Sequence, residues 1–342
     1  MNQPTEPPVP SKRVWQQAVA NYQRPEVKRS LWQLANSLLP YFALWYLMVR
    51  SLEISYWLTL ALAFPAAGFM MRIFIIFHDC GHRSFFMSER ANAIVGFFTG
   101  LLTFTAFYQW THDHAVHHAT AGNLDRRGVG DVKVLTVKEY LALPAWKRFG
   151  YRCMRNPLLM FTVGATLVFL VAHRFTHKGS GRRERYSVYW TNLALLVLAG
   201  LASLTIGFKT YLLVQLPIVV IGTSLGVWLF YVQHQFEDVY WARQDRWDYA
   251  RAALLGSSYY KLPAILQWFS GNIGFHHIHH LSPRIPNYFL AQCHREHAIF
   301  QAVRPLTILS SLKSLSLRLY DEDQRKLVGY AALRMYQRSA QF

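Results

Sequence analysis

The sequence predicts an all-α integral membrane protein: four spanning helices, further interfacial or re-entrant helices, and a cytoplasmic helical cap. Three observations carry this. Charged residues make up 16% and hydrophobic residues 52% of the 342, against roughly 25% charged in a soluble globular domain. The apolar residues gather into blocks near the ~20 residues that a spanning helix needs. Lys and Arg fall between the blocks and give a formal net charge of +18, as expected of loops facing anionic headgroups on a cytoplasmic surface. A nucleic-acid binder would share the charge but would not need the apolar blocks, so no nucleic-acid partner is expected. Cys80, Cys153 and Cys293 lie too far apart for a secreted disulfide scaffold.

The elements follow in order. Residues 1–30 are polar and Pro-rich, lack the apolar core of a signal peptide, and end in Arg24, Lys28 and Arg29. They read as a polar cytoplasmic tail, with 31–342 as a single membrane domain. Segments 33–49 and 54–77 form a hairpin with a short outer loop around Arg50–Ser55, which returns His78 to the cytoplasmic face. Segment 91–110, with Gly96 and Gly100, lies between two His-rich stretches and reads as half-buried. Segment 157–172 is short and basic on both sides. Lys147, Arg148, Arg152 and Arg155 precede it, and Arg174, Lys178, Arg182, Arg183 and Arg185 follow, so it is expected to dip into the membrane or lie in its interface. Segments 188–207 and 211–233 form a second hairpin around Gly207–Thr210 and bring His234 back to the cytoplasm. Both termini are then inside.

Fifteen histidines are unusual for this length. His78 and His82 form an H-x-x-x-H. His114, His117 and His118 form an H-x-x-H-H, and His276, His279 and His280 form another. Positions i, i+3 and i+4 share a helical face, so each box can aim its imidazoles at one region. Neutral imidazole is a good ligand for iron, zinc, copper or nickel. One such box is more often structural than metal-binding, but three at one membrane face, a face assigned from Lys and Arg alone, are not. With His234 they offer nine nitrogen donors, too many for one ion and suited to two. The E-x-x-H pairs of soluble di-iron bundles are missing, as is the H-E-x-x-H of zinc proteases. A metal transporter would spread His, Asp or Met through the span interiors; here the histidines gather at span ends.

The three boxes resemble those of the membrane fatty acid desaturase family, and the resemblance runs from about Phe74 to Gly329. HAVHHATAGNLDRRGVGDV (114–132) and GNIGFHHIHHLSPRIPNY (271–288) resemble in particular the acyl-lipid omega-6 (delta-12) branch of bacteria and cyanobacteria. The resemblance implies two iron ions held by His78, His82, His114, His117, His118, His276, His279 and His280, with His234 matching an extra histidine on the last span. It implies O2 as co-substrate, a lipid-linked acyl chain as substrate, and a cis double bond as product. The electron donor would be a separate ferredoxin or cytochrome-type protein, since neither end carries a fused haem domain. The location implied is the bacterial inner (cytoplasmic) membrane, with the boxes on the cytoplasmic side. In related acyl-CoA desaturases an Asn one turn before the extra histidine contributes through water; here that position is Phe230. A di-iron hydroxylase or ketolase acting on fatty acid, alkane or carotenoid shares this chemistry and is the alternative.

Asp79 and Asp113 adjoin box histidines and are candidates to hydrogen-bond an imidazole N–H. Asn123–Gly128 reads as a loop whose Arg and Asp support the second box, the alternative being a loop that binds a lipid headgroup. Arg72 is expected to snorkel to the cytoplasmic face, or to pair with Asp79 or Glu237. Cys80 reads as a packing residue, and Trp45, Trp57, Trp190 and Trp228 as interfacial anchors. His112, His173, His177, His277, His294 and His297 fall outside the box frames.

Overall fold

The computed structural model describes residues 9–339. Two long hairpins form its frame. Helix α2 (Val27–Ser51) turns into α3 (Tyr56–Gly81), whose first turn is capped by Ser55 accepting from Trp57 N at 3.3 Å. Ser51 Oγ and Thr59 Oγ1 close the turn at 2.7 Å. The second hairpin joins α7 (Arg182–Thr205) to α8 (Phe208–His234) through Ile206 and Gly207, the latter at φ +88°. Between the hairpins come α4 (Glu89–Leu102), α5 (Phe107–Thr120) and the helical segment α6 (Pro157–Arg174). Pro40, Pro65 and Pro217 lie within the long helices, which membrane helices tolerate where neighbours satisfy the freed carbonyl.

Among the described residues, four helices are long and apolar enough to cross a membrane: α3, α6, α7 and α8. The expected number holds, but its membership differs: α6 passes, whereas α2, 25 residues long, is less apolar. Which side each helix starts from follows from the connections. The end of α3 carries the first box and the end of α8 carries His234, and the two ends meet, so the starts of their hairpin partners, α2 and α7, lie at that same face. Arg155, just before α6, donates to Gln235 at 3.1 Å, and His177, just after it, contacts Asp113 at 3.1 Å. Gln235 neighbours His234, so α6 starts at the histidine face. Its end reaches the region between α4 and α5, where Arg174 donates to Phe104 O, and the residues after it, up to His177 beside Asp113, come back towards that face. The helices α4 and α5 do likewise, meeting at a 99° bend.

That bend is built locally. Phe104 takes φ +55°, and Thr105 N reaches back to Gly100 O at 2.8 Å. A Cβ on Gly100 would meet Thr105 O at 2.5 Å and the Phe77 ring at 3.0 Å. Backbone cannot yield as a side chain can, so Gly100→Ala should destabilise by about 1–3 kcal/mol. The check is the thermal inactivation midpoint in detergent, which should fall; an unchanged midpoint would show that the bend does not depend on this contact.

The cap holds short helices and two small sheets. Leu135–Thr136 pairs in parallel with Leu319–Asp321, which pairs antiparallel with Lys326–Val328. Tyr259–Lys261 pairs in parallel with Pro305–Thr307. Residues 1–8 of the expected tail lie outside the described residues. The rest is not a solvated tail: helix α1 (Lys12–Ala20) buries Ala18 and Val19 in the same core as Leu281, Ile285 and Phe289. Gln23 Nε2 adds a bond to Ser282 Oγ at 2.9 Å. The Pro-rich, charged composition hid Trp15, Ala18 and Val19, which share one helical face and pack on that core.

Candidate metal centre

All nine predicted histidines come together. His78 lies in the last turn of α3 and His82 caps it. His114, His117 and His118 come from α5, His234 ends α8, and His276, His279 and His280 come from the short helix α9 (His276–Leu281). One nitrogen from each of His78, His82, His114, His118 and His279 lies within 4.8 Å of all the others, and His117, His234 and His280 form a second such group. His276 joins the second group through His234, Nε2 to Nε2 at 2.9 Å. Each H-x-x-H-H box thus straddles both groups: His114 and His118 serve the first and His117 the second, while His279 serves the first and His280 the second.

The donor set fits metal ions. His118 Nε2 stands 3.1 Å from both His114 Nε2 and His279 Nε2, and His234 Nε2 stands 3.1 Å from His117 Nε2 and 2.9 Å from His276 Nε2. One proton can bridge two such nitrogens but not three. Two nitrogens this far apart, each ~2.1 Å from a common ion, would subtend about 90° there, an ordinary angle for neighbouring ligands. Further ring nitrogens are buried without a protein partner, among them His82 Nε2 and His280 Nε2. Burial, reinforced by the neighbouring rings, holds His82, His276, His279 and His280 well below the usual imidazole range, which keeps them neutral and ready to ligate.

The opposite ring nitrogens are anchored. His78 Nδ1 faces Asp79 Oδ1 at 3.0 Å, and Asp79 Oδ2 accepts from Asn287 N at 2.7 Å and Asn287 Nδ2 at 2.8 Å. Gln33 Nε2 in turn donates to Asn287 Oδ1 at 3.0 Å. His117 Nδ1 bonds to Asp131, and His234 Nδ1 donates to Gly256 O at 3.3 Å. Such partners fix the tautomer and turn Nε2 towards the ion. Burial pushes the Asp131 carboxyl up, but His117, His234 and the Gly128 N–H together outweigh it and the net shift is downward, so it stays a carboxylate. Asp79 therefore takes the expected role, while Asp113 does not, because it faces His177. Asp131 was missed: it lies on a loop 14 residues beyond His117, where helical spacing says nothing. Its loop approaches α5 closely at Gly130, φ +67°, where a Cβ would stand 3.1 Å from His117 Cβ.

Other expectations sort as follows. Phe230 packs beside the second group, 5.2 Å from His117 and 5.3 Å from His234 between ring centroids. Those three residues, with Asp131, Gln235 and others, line a cavity of about 10 Å³, room for roughly one water. Arg72 neither snorkels nor finds an acid: it stays buried, lies 3.9 Å over the Trp268 ring and donates to Trp268 O. A cation–π contact and a carbonyl replace the ion pair. In the loop after the second box, Asp125 accepts from Arg243 at 2.6 Å and Arg127 pairs with Glu139, a structural network as expected. Cys80 packs among Phe77, Phe85 and Phe107. Trp57 is exposed, while Trp45 and Trp228 are half-buried, Trp45 donating to Gln215 Oε1 at 3.0 Å and Trp228 packing on Phe161. His277 turns away from both groups, towards Tyr259 and His294.

Comparison with known proteins adds the following. The family profile described as "Fatty acid desaturase" matches residues 55–306. A "Fatty acid desaturase" of Bacillus subtilis is 52% identical over 316 residues, covering 92% of this chain and 90% of that protein. An "sn-1 oleoyl-lipid 12-desaturase" of Picosynechococcus is 27% identical over 249 residues, covering 70% of this chain and 69% of that protein. An "sn-2 acyl-lipid omega-3 desaturase (ferredoxin), chloroplastic" of Arabidopsis thaliana is 28% identical over 255 residues, covering 69% of this chain and 54% of that protein.

Proposed function

The chain belongs to the fatty acid desaturase family, and on that premise we propose that it is a non-haem di-iron enzyme that places a cis double bond, at the delta-12 (omega-6) position, in a lipid-linked acyl chain. That it is a membrane desaturase, an oxidoreductase, follows from the family. The observation that carries the finer reading is the gathering of nine histidines into two adjoining groups with no carboxylate in either. Removing two hydrogens from an unactivated –CH2–CH2– unit requires redox chemistry that zinc cannot perform; imidazole ligands suit iron. The balance is one O2, two electrons and two protons taken up, two water molecules released and one C=C bond formed. Delta-12 selectivity is supported by the likeness to oleoyl-lipid 12-desaturases.

Iron supplies the O2-activating redox couple. The protein's own residues do the rest. His78, His82, His114, His118 and His279 would hold one ion, and His117, His234, His276 and His280 the other. Asp79, Asp131 and the Gly256 carbonyl aim the rings. Trp110 packs on His114 and Phe230 on His117, with buried Phe77 behind Trp110, an aromatic layer that would restrict bulk water at the metal site. Electrons would come from a separate ferredoxin or cytochrome-type donor; one relative's name specifies ferredoxin. The basic flanks support a bacterial inner-membrane location with the histidine face towards the cytoplasm.

The test is the fatty-acid profile, by gas chromatography with mass spectrometry, of a host rich in oleoyl lipids expressing this chain beside a His117→Ala control. Linoleoyl chains absent from the control are expected. A bond elsewhere would refute delta-12, and hydroxylated or ketonic chains would move the enzyme to the hydroxylase or ketolase class.

A further inference from the structure

Away from the histidines, α2, α4 and α7 enclose an open, almost wholly apolar groove of about 750 Å³. Its lining runs from Leu34 to Phe42 on α2, from Val95 to Leu102 on α4 and from Trp190 to Leu198 on α7. At 1.5 Å per residue these stretches lie roughly 10–22, 9–20 and 12–24 Å from the starts of their helices. All three starts lie at the histidine face, so the groove occupies one band of depth below it.

The three starts share a second property: each is basic and exposed. Lys28 and Arg29 open α2, Arg90 opens α4, and Arg182, Arg183 and Arg185 open α7. Arg29 pairs with Glu26, and the nearby Glu89 pairs with Arg83. Among the described residues no ion pair is seen to Lys28, Arg90, Arg182, Arg183 or Arg185. Arg183 is held 3.8 Å over the Tyr108 ring and Arg182 5.4 Å over Tyr186, so two of the cations are fixed in place.

We propose that this groove is a binding site for one anionic phospholipid, with an acyl chain in the groove between α2, α4 and α7 and the phosphate among the basic helix starts. An apolar groove at lipid depth fits a hydrocarbon chain. Unpaired cations one headgroup's length above it select a negative charge over a zwitterion. None of the groove residues belongs to either histidine group.

The test measures lipid retained by the purified full-length protein after incorporation into nanodiscs of mixed phosphatidylglycerol and phosphatidylcholine, read by native mass spectrometry. The wild type should retain about one phosphatidylglycerol per chain, enriched over the bulk mixture. Replacing Arg182, Arg183 and Arg185 together by Gln should weaken that retention by about 100-fold, from about a kcal/mol per cation. Ala194→Trp, which fills the groove and keeps the cations, should lower it as well. Iron content and gel-filtration profile establish that each variant is folded. Retained lipid that mirrors the bulk mixture, or retention unchanged in both variants, would overturn the proposal.

Discussion

Replacing His234 by alanine should cut bound iron from two per chain to one and reduce desaturation to background. His234 Nε2 is the hub of the second group, 3.1 Å from His117 and 2.9 Å from His276, so its loss opens the site on the side where α8 reaches it. The first group, drawn from α3, α5 and α9, keeps all five of its rings. A site missing one central ligand among few holds its metal far less tightly, because ligand count and geometry set affinity. Metal analysis of purified protein separates this from general unfolding: a misfolded variant loses both ions. His112→Ala supplies the contrast. That ring is exposed on α5, outside both groups, so iron and activity should stay at wild-type values. Two irons in His234→Ala would remove His234 from the ligand set.

Asp131→Asn should lower activity or iron affinity by about 10–100-fold, the usual effect of losing a carboxylate behind a ligating imidazole. Asn keeps the size of Asp131 but removes the charge that orients His117 Nδ1–H. Its amide can also turn a donor towards that nitrogen and invert the tautomer. Asp113→Asn should cost little by comparison, since Asp113 faces His177 across the outer side of α5. Iron titration of the two variants distinguishes them; equal losses would mean that Asp131 acts only as packing for its loop.

The contrast between these two aspartates shows what could be read from the residues alone. The boxes were legible because helical spacing is a local rule: i, i+3 and i+4 already fix which rings share a face. Their convergence was legible because Lys and Arg placement independently set the side of each segment. The division of each H-x-x-H-H box between two groups was not, since it depends on how α5 and α9 cross. Asp131 sits on a loop beyond the helix, which turns back through the positive φ of Gly128 and Gly130. Arg72 was misread for a related reason. Its partner is the Trp268 carbonyl, 196 residues away, and no charge in the sequence marks a carbonyl. Helix α1 was hidden by composition, because a few buried positions suffice to dock a helix whose other faces remain charged.

The central claim is that the two histidine groups hold two iron ions. Metal analysis by plasma mass spectrometry, combined with Mössbauer spectroscopy of iron-enriched protein, tests it most directly. Two irons per chain, ligated by nitrogen and oxygen without sulfur, are predicted. A single ion per chain, or zinc bound where iron was supplied, would contradict it.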